Sequence, residues 1–440
     1  MISTKASSNG SLQISTVSGG PGDAPSSQRA VVAVFCMPEN GHFQRLRPLV
    51  AGLSGAGLEV RVLTHARFAA QVHEDGGRFV DLFRAYPLEA LGDDSLPVPS
   101  RFVTYAAAYA PQICADVAAS GAGLVVHDSF AVVGRLVAQL LDLPRVNLCA
   151  GHNVVPGRFR EILGRDPRVS TSAACRRAVM RLRDELGLED ASPFAYLSPP
   201  SPQLNLYCEP PQFLNPADRQ FWEPVAFFGS LREVPTTARA EAGQGRYFVT
   251  PDASVPGRTL RVYISFGTVI WRYYADTALR TLTTLADAIA GRQDVEAVVS
   301  LGGSEPGSGV KSALERRNLR VERYVDQQAI LAEADVFVTH HGMNSTHEAI
   351  AHGVPMLSYP FFWDQPELAR KCADLGLSVP LAGTPREPIG ETTVHQALET
   401  LRLRETSMKS SLEKAMRWEE AVIENRPEVI ERIAGLIGEP

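Results

Sequence analysis

Between Asp335 and Pro366 the chain reads DVFVTHHGMNSTHEAIAHGVPMLSYPFFWDQP, and these residue types in this order can hold a sugar diphosphate. Val336, Phe337 and Val338 are a short apolar run that predicts a strand buried on both faces, stopping at Thr339-His340-His341-Gly342. A helix must start just beyond, because Asn344, Ser345 and Thr346 are N-cap residue types and Gly353-Val354-Pro355 ends the pattern. Backbone N–H groups then converge at the carboxyl end of a strand, where orphan donors and the helix dipole favour anionic oxygens. Gly342 lets the backbone approach such a ligand, and the side chains of Asn344, Ser345 and Thr346 add neutral donors. After a second apolar strand, Met356 to Tyr359, come Asp364 and Gln365. A carboxylate beside an amide supplies the acceptors and donors that adjacent hydroxyls of a hexose require.

The elements that must position these groups repeat along the chain. VVAVFCMPENGHFQRLRPLVAGLSGAGLEVRVLTHARF reads as a strand (Val31 to Cys36), a loop, an amphipathic helix carrying Leu46, Leu49, Val50 and Leu53, a Gly-rich turn and a strand (Glu59 to Thr64), which is a βαβ unit. His42 lies in its loop, and a histidine titrating near neutrality suits general-base work, although a lone loop histidine is usually no more than a satisfied polar group. LVVHDSFAVVGRLVA gives another strand ending at Asp128, which could orient a histidine or cap the helix beginning near Ala131. Past the middle, RVYISFGTV restarts the strand-then-glycine pattern. Ser265, Gly267 and Thr268 therefore stand where ligands of open α/β sheets collect, at the carboxyl end of a strand.

On these motifs the chain resembles family 1 nucleotide-sugar glycosyltransferases, the GT-B enzymes that include plant secondary-metabolite and bacterial macrolide transferases. The resemblance covers the Asp335–Pro366 signature, the upstream segment ERYVDQQAIL and the amino-terminal PENGH and HDSF loops. It implies that Tyr324 stacks on the base, Gln327 and Glu348 reach the ribose, His340, Asn344 and Ser345 take the diphosphate, and Asp364 with Gln365 takes the sugar. Gly41 and Val325 complete the donor set. It further implies that His42 is the general base on the acceptor, oriented by Asp128. Two departures stand out: Asp326 replaces the usual proline, and His341 replaces a glycine, which leaves open how the backbone approaches the phosphates there.

The implied fold is GT-B, with two Rossmann-like α/β domains facing one another across a cleft. The divisions expected are a disordered leader over 1–29, an acceptor domain over 30–231, a linker over 232–258, a nucleotide-sugar domain over 259–410 and, over 411–440, a helical tail crossing back to the first domain. A chain of 440 residues, 45% of them hydrophobic, is long enough for two such cores. The formal net charge of -6 gives no reason to expect a nucleic-acid partner. No apolar run is long enough for a signal core or a membrane span. Six cysteines without a C-x-x-C pair favour buried thiols in a reduced, cytoplasmic setting.

The resemblance implies an inverting, metal-independent transfer of a hexose from a nucleotide diphosphate sugar, UDP-hexose favoured over a dTDP-sugar, to a hydrophobic aromatic or polyketide acceptor. No cofactor is expected, and a homodimer is left open. Phe102, Tyr105 and Tyr109, a stripe on one helix face, and Phe361 are the candidate acceptor contacts, although such a stripe also fits a core. The histidines at 347 and 352 suggest the zinc motif H-E-x-x-H with one residue added, but positions five apart lie about 140° from each other on a helix. GGSEPGSG lacks the Lys-Ser/Thr of a phosphate loop, and no G-x-G-x-x-G follows either first strand, so a dinucleotide oxidoreductase fits poorly. A dTDP-deoxysugar transferase, a sugar-nucleotide epimerase and a non-catalytic partner of the same fold remain the alternatives.

Overall fold

The apolar runs become the strands of two parallel sheets, each covered by helices on both faces as all-parallel sheets require. The computed structural model describes residues 29–95, 99–149, 151–167, 169–197, 199–233, 247–248, 259–305 and 309–438. The leader expected over 1–29 and the linker expected over 232–258 fall almost wholly outside the described residues.

The first sheet consists of β1 (Val31–Phe35), β2 (Glu59–Thr64), β3 (Arg78–Asp81), β4 (Ala122–Asp128), β5 (Arg145–Cys149), β6 (Leu204–Tyr207) and β7 (Val225–Phe227), in the order β3-β2-β1-β4-β5-β6-β7. The second consists of β8 (Leu260–Ser265), β9 (Val295–Ser300), β10 (Leu319–Glu322), β11 (Val336–Thr339), β12 (Met356–Ser358) and β13 (Ser378–Pro380), in the order β10-β9-β8-β11-β12-β13. The winding direction reverses between β1 and β4 in one sheet and between β8 and β11 in the other. Such switch points open a crevice beyond the carboxyl ends of the strands, which is where doubly wound sheets bind ligands. Phe35 pairs with His127 and Ser265 with Thr339, so the loops carrying His42, Asp128, Gly267 and His340 all leave from these two crevices.

The helix after β1, Asn40–Gly55, buries Phe43, Leu46, Leu49, Val50 and Leu53 along one side, the helical spacing predicted for it. The tail differs from a single helix. It forms Glu405–Glu424 and Arg426–Ala434, broken at Asn425 because Pro427 cannot continue the first helix but suits the first turn of the second. The second of these lies against the first domain, while the first also packs on the second domain, where its Glu419 pairs with His347. Arg426 donates to the carbonyls of Phe228, Leu231 and Arg232, and a Cβ on Gly52 would meet Ile430 at 2.7 Å. All six cysteines are free and buried, and no helix among the described residues is long and apolar enough to cross a membrane.

Candidate functional site

At the first crevice His42 sits in the opening turn of the Asn40–Gly55 helix, and its Nδ1 donates to Asp128 Oδ1 at 2.7 Å. Asp128 is fully buried at the end of β4 and also accepts from the amides of Phe130, at 2.8 Å, and Met37, at 3.4 Å. Burial alone would raise its carboxyl, but the charge and hydrogen bond of His42 and the two amides hold it below its ordinary value. An ionised Asp128 on Nδ1 fixes the imidazole tautomer and leaves Nε2 as the lone pair able to take a proton. Asp128 does not cap the following helix, Val132–Leu140, whose N-cap position is Ala131. The ring of Phe130 lies 4.1 Å from that of His42.

At the second crevice two glycines make room for one ring. A Cβ on Gly267, where φ is +69°, would lie 2.8 Å from His340 Nε2, and one on Gly342 would lie 2.5 Å from it. His340 is thus clasped between the backbones of the β8 and β11 loops, beside the first turn of the Met343–Ala351 helix. Burial brings its pKa down to about 4 against a partly offsetting hydrogen bond with the Ser265 backbone, so it is neutral at pH 7. Gly342, not a hydroxyl or amide residue, occupies the N-cap position, and Asn344, Ser345 and Thr346 lie inside the helix. Ser265 Oγ accepts from the Gly267 amide, and Thr268 is exposed in the same turn. His341 takes the left-handed conformation natural to glycine, with φ of 59°. Its buried ring bonds the hydroxyls of Thr346, at 3.2 Å, and Ser358, at 2.7 Å, within the second domain.

Beside this cradle the ribose candidates gather. The Gln327 amide donates to Ser345 Oγ at 3.0 Å and to the Glu348 carboxylate, while its oxygen accepts from the Tyr263 hydroxyl at 3.2 Å. Burial raises Glu348 above the ordinary carboxylate value, the Gln327 bond opposing it. Tyr324 is 72% exposed, an open platform on which a base could stack, whereas the Val325 side chain is buried in the core. Asp326, in the place of a proline, caps the Gln327–Glu333 helix by accepting from the Ala329 amide.

Several of the expected site residues have partners within the protein. Asn344 turns away from a free diphosphate role: its Oδ1 accepts from Arg45 Nε at 2.8 Å and its Nδ2 donates to the Gly41 carbonyl at 3.2 Å, across the cleft. Gln365 spends its oxygen on the amides of Phe361 and Phe362, closing its own loop. Asp364 is buried, which raises its pKa, and its Oδ2 accepts from the His152 amide at 2.8 Å. Phe102 and Tyr105 are wholly buried because the Arg101–Ala119 helix is covered on nearly every side through its first half, and Tyr109 donates to the Pro87 carbonyl. Phe361 is wholly buried against Phe266 and Tyr359 in the second domain. Phe102 nevertheless lies 6.0 Å from the Phe130 ring that packs on His42.

Residues with no motif were missed. Arg45, three positions after His42 on its helix, is the one with a readable signal, a buried cation on the face of the candidate base. His152, Glu209 and Trp363 offered none. His347 also changes meaning: it pairs with Glu419 and Glu209 in the interior, while His352 bonds Gln328. Among the described residues no group of three His, Cys, Asp or Glu side chains is arranged to hold a metal.

Residues 255–417 match the family described as UDP-glucoronosyl and UDP-glucosyl transferase. The uncharacterized UDP-glucosyltransferase YdhE of Bacillus subtilis is 23% identical over 352 residues, covering 78% of this chain and 84% of the relative. The solved glycotransferase of kitacinnamycin superposes with a TM-score of 0.71 at 21% identity, covering 93% of this chain and 100% of its own. Glycosyltransferase VinC, solved in complex with dTDP, superposes with a TM-score of 0.58 at 20% identity, covering 92% of this chain and 100% of its own.

Proposed function

We propose that this chain, a GT-B glycosyltransferase working with a nucleotide sugar, moves a hexose with inversion onto a hydroxyl of a hydrophobic aromatic or polyketide acceptor, with no metal ion in the step. The observation that carries the reading is the meeting of the two crevices. The carbonyl of Gly41, next to His42, touches Asn344 in the first turn of the helix beside His340. On this reading the base and the diphosphate cradle stand on either side of one reacting bond.

His42 Nε2 takes the acceptor proton as the acceptor oxygen forms its bond to the anomeric carbon. The bond from that carbon to the diphosphate oxygen breaks on the opposite face, and its electron pair leaves with the nucleotide. Asp128 stabilises the imidazolium so formed. The departing charge falls on the amides at the start of the Met343–Ala351 helix and on neutral His340, donors fixed in place before the reaction. Tyr324 stacks on the pyrimidine, and the Gln327–Glu348 pair receives two ribose hydroxyls, which favours UDP. A dTDP-sugar is the second reading, supported by the dTDP complex of VinC and by the internal partners that Asp364 and Gln365 already have.

Purified protein incubated with UDP-glucose or dTDP-glucose and a panel of phenolic and polyketide alcohols should give products one hexose heavier, with the configuration at the anomeric carbon inverted. Retention of configuration, or activity abolished by a chelator and restored by a divalent cation, would refute the mechanism.

A further inference from the structure

Trp363 belongs to the loop between β12 and Asp364 in the second domain, yet its ring packs on the first. It stacks on Tyr196 with centroids 5.8 Å apart and planes 28° from parallel, and meets Phe130 and Phe159 edge-on at 5.9 Å and 5.5 Å. Phe130 in turn lies against His42. The Trp363 backbone has φ of 62°, a left-handed conformation that a bulky residue holds only under constraint and that clusters at functional sites. Around these rings is a cavity of about 20 Å³ whose lining includes Tyr196, Asn147 and Trp222. The Tyr196 hydroxyl, Asn147 Oδ1 and Trp222 Nε1 are all buried and make no hydrogen bond. Buried polar atoms without partners are uncommon, and three around one space mark a place that a polar-edged ligand completes.

Resting on the glycosyl-transfer reading, we infer that Trp363 and Tyr196 are the two walls of a slot into which a planar aromatic acceptor intercalates, and that Trp363 selects the acceptor. The cavity has room for one water and none for a ring, so the rings stack on each other when the slot is empty. They sit on opposite domains, and opening of the cleft separates them by one ring thickness. An intercalated phenol is then sandwiched beside His42, with its remaining hydroxyls facing the Tyr196 hydroxyl and Asn147 Oδ1. The donor domain therefore contributes to acceptor choice through the residue that immediately precedes Asp364.

The test compares a naphthol with the corresponding saturated decalol as acceptors for wild type, Trp363→Gly and Trp363→Phe, with UDP affinity measured by calorimetry in all three. Wild type should prefer the naphthol. Trp363→Gly, which relieves the backbone while removing the wall, should raise the naphthol KM by about tenfold and the decalol KM by much less, with UDP affinity within twofold, and so erase the preference. Trp363→Phe should restore most of it. Naphthol should quench tryptophan emission in wild type and markedly less in Trp363→Phe, a readout that needs no turnover. An unchanged naphthol-to-decalol ratio in Trp363→Gly, or equal quenching in wild type and Trp363→Phe, overturns the slot. A wild type that binds no UDP and transfers no hexose to either alcohol overturns instead the functional reading on which the slot rests.

Discussion

The two domains touch along two seams of opposite character. Behind the cleft, Glu419 of the tail, His347 of the second domain and Glu209 and His152 of the first form a fully buried chain: His347 donates to Glu419 at 2.5 Å and to Glu209 at 3.0 Å, and His152 donates to Glu209 at 2.8 Å. Asn153 Nδ2 completes it by donating to His152 Nε2 at 2.9 Å. The cleft seam shows the reverse. It holds two bulky residues at positive φ, His341 and Trp363, where the strut has Asn153, a residue type that tolerates that conformation, and it also holds the unbonded polar atoms beside Trp363. One seam has its polar groups satisfied by the chain itself, as a strut must. The other keeps strain and open valences that a substrate can satisfy. His152 joins them, because its side chain ends the strut while its amide holds Asp364.

The largest effect should come from the cleft. His42→Ala is expected to lower kcat about 10²–10⁴-fold while UDP still binds, since the base acts on the acceptor. Asp128→Asn should fall between the two. A His42→Ala enzyme within a few fold of wild type on hydroxyl acceptors would remove the chemical half of the comparison.

Breaking the strut should act on stability instead. Glu209→Ala leaves two buried histidines without their shared carboxylate, and removing one partner of a buried pair costs about 3–5 kcal/mol. Urea unfolding reads this directly, and an unmoved midpoint would mean the strut carries no load. The pH dependence sharpens the point. Burial opposes the charge on His347, but the Glu419 charge and the Glu209 bond raise its pKa from 6.5 to about 10, so its contribution is full below about pH 6.5 and lost as pH rises through about 10. Burial likewise opposes the Glu209 charge, but the charges and hydrogen bonds of His152 and His347 hold its carboxyl well below the usual range. Its contribution is full above the ordinary carboxylate value and lost only in strong acid. Thermal midpoints should therefore fall on the alkaline side in wild type and fall less in His347→Leu.

Glu348 separates the seams at smaller scale. A carboxylate accepting a hydrogen bond is worth about 1.5–3 kcal/mol, so Glu348→Ala should weaken UDP by that amount and narrow its advantage over dTDP, with little change in the thermal midpoint. Equal affinity of wild type for UDP and dTDP would favour the deoxysugar reading.

Most of the first-order fold was legible because its signals are local. Apolar runs gave β1, β2, β11 and β12 to within a residue, and the loops at both switch points carried the recognisable motifs. What escaped depends on partners far away in sequence: Arg45 meets Asn344 across 299 residues and His152 meets Asp364 across 212. The Phe102, Tyr105, Tyr109 stripe was ambiguous for a related reason. Periodicity names the apolar face of a helix but not what covers it, and here neighbouring elements bury the whole first half. Trp363 gave no signal because a tryptophan in a loop is legible only through the rings it meets.

His341 sets the smallest of these effects and decides how strain is held at the cleft. Replacing it by glycine relieves a left-handed backbone worth about 1–2 kcal/mol. It also removes hydrogen bonds to Thr346 and Ser358, about 0.5–1.5 kcal/mol each, and adds the unfolded-state entropy of glycine, about 0.5–1 kcal/mol. Both hydroxyls are buried and would lose a partner, so the losses should win by about 1 kcal/mol. Burial, with His340 and His152 nearby, lowers the His341 pKa to about 3, so the ring is neutral and the penalty should not change between pH 5 and pH 8. A stabilised His341→Gly would mean that the imidazole is kept at a net cost. The strain at this crevice would then belong with that of Trp363, held for the substrate, and not with the hydrogen bonds that hold the fold.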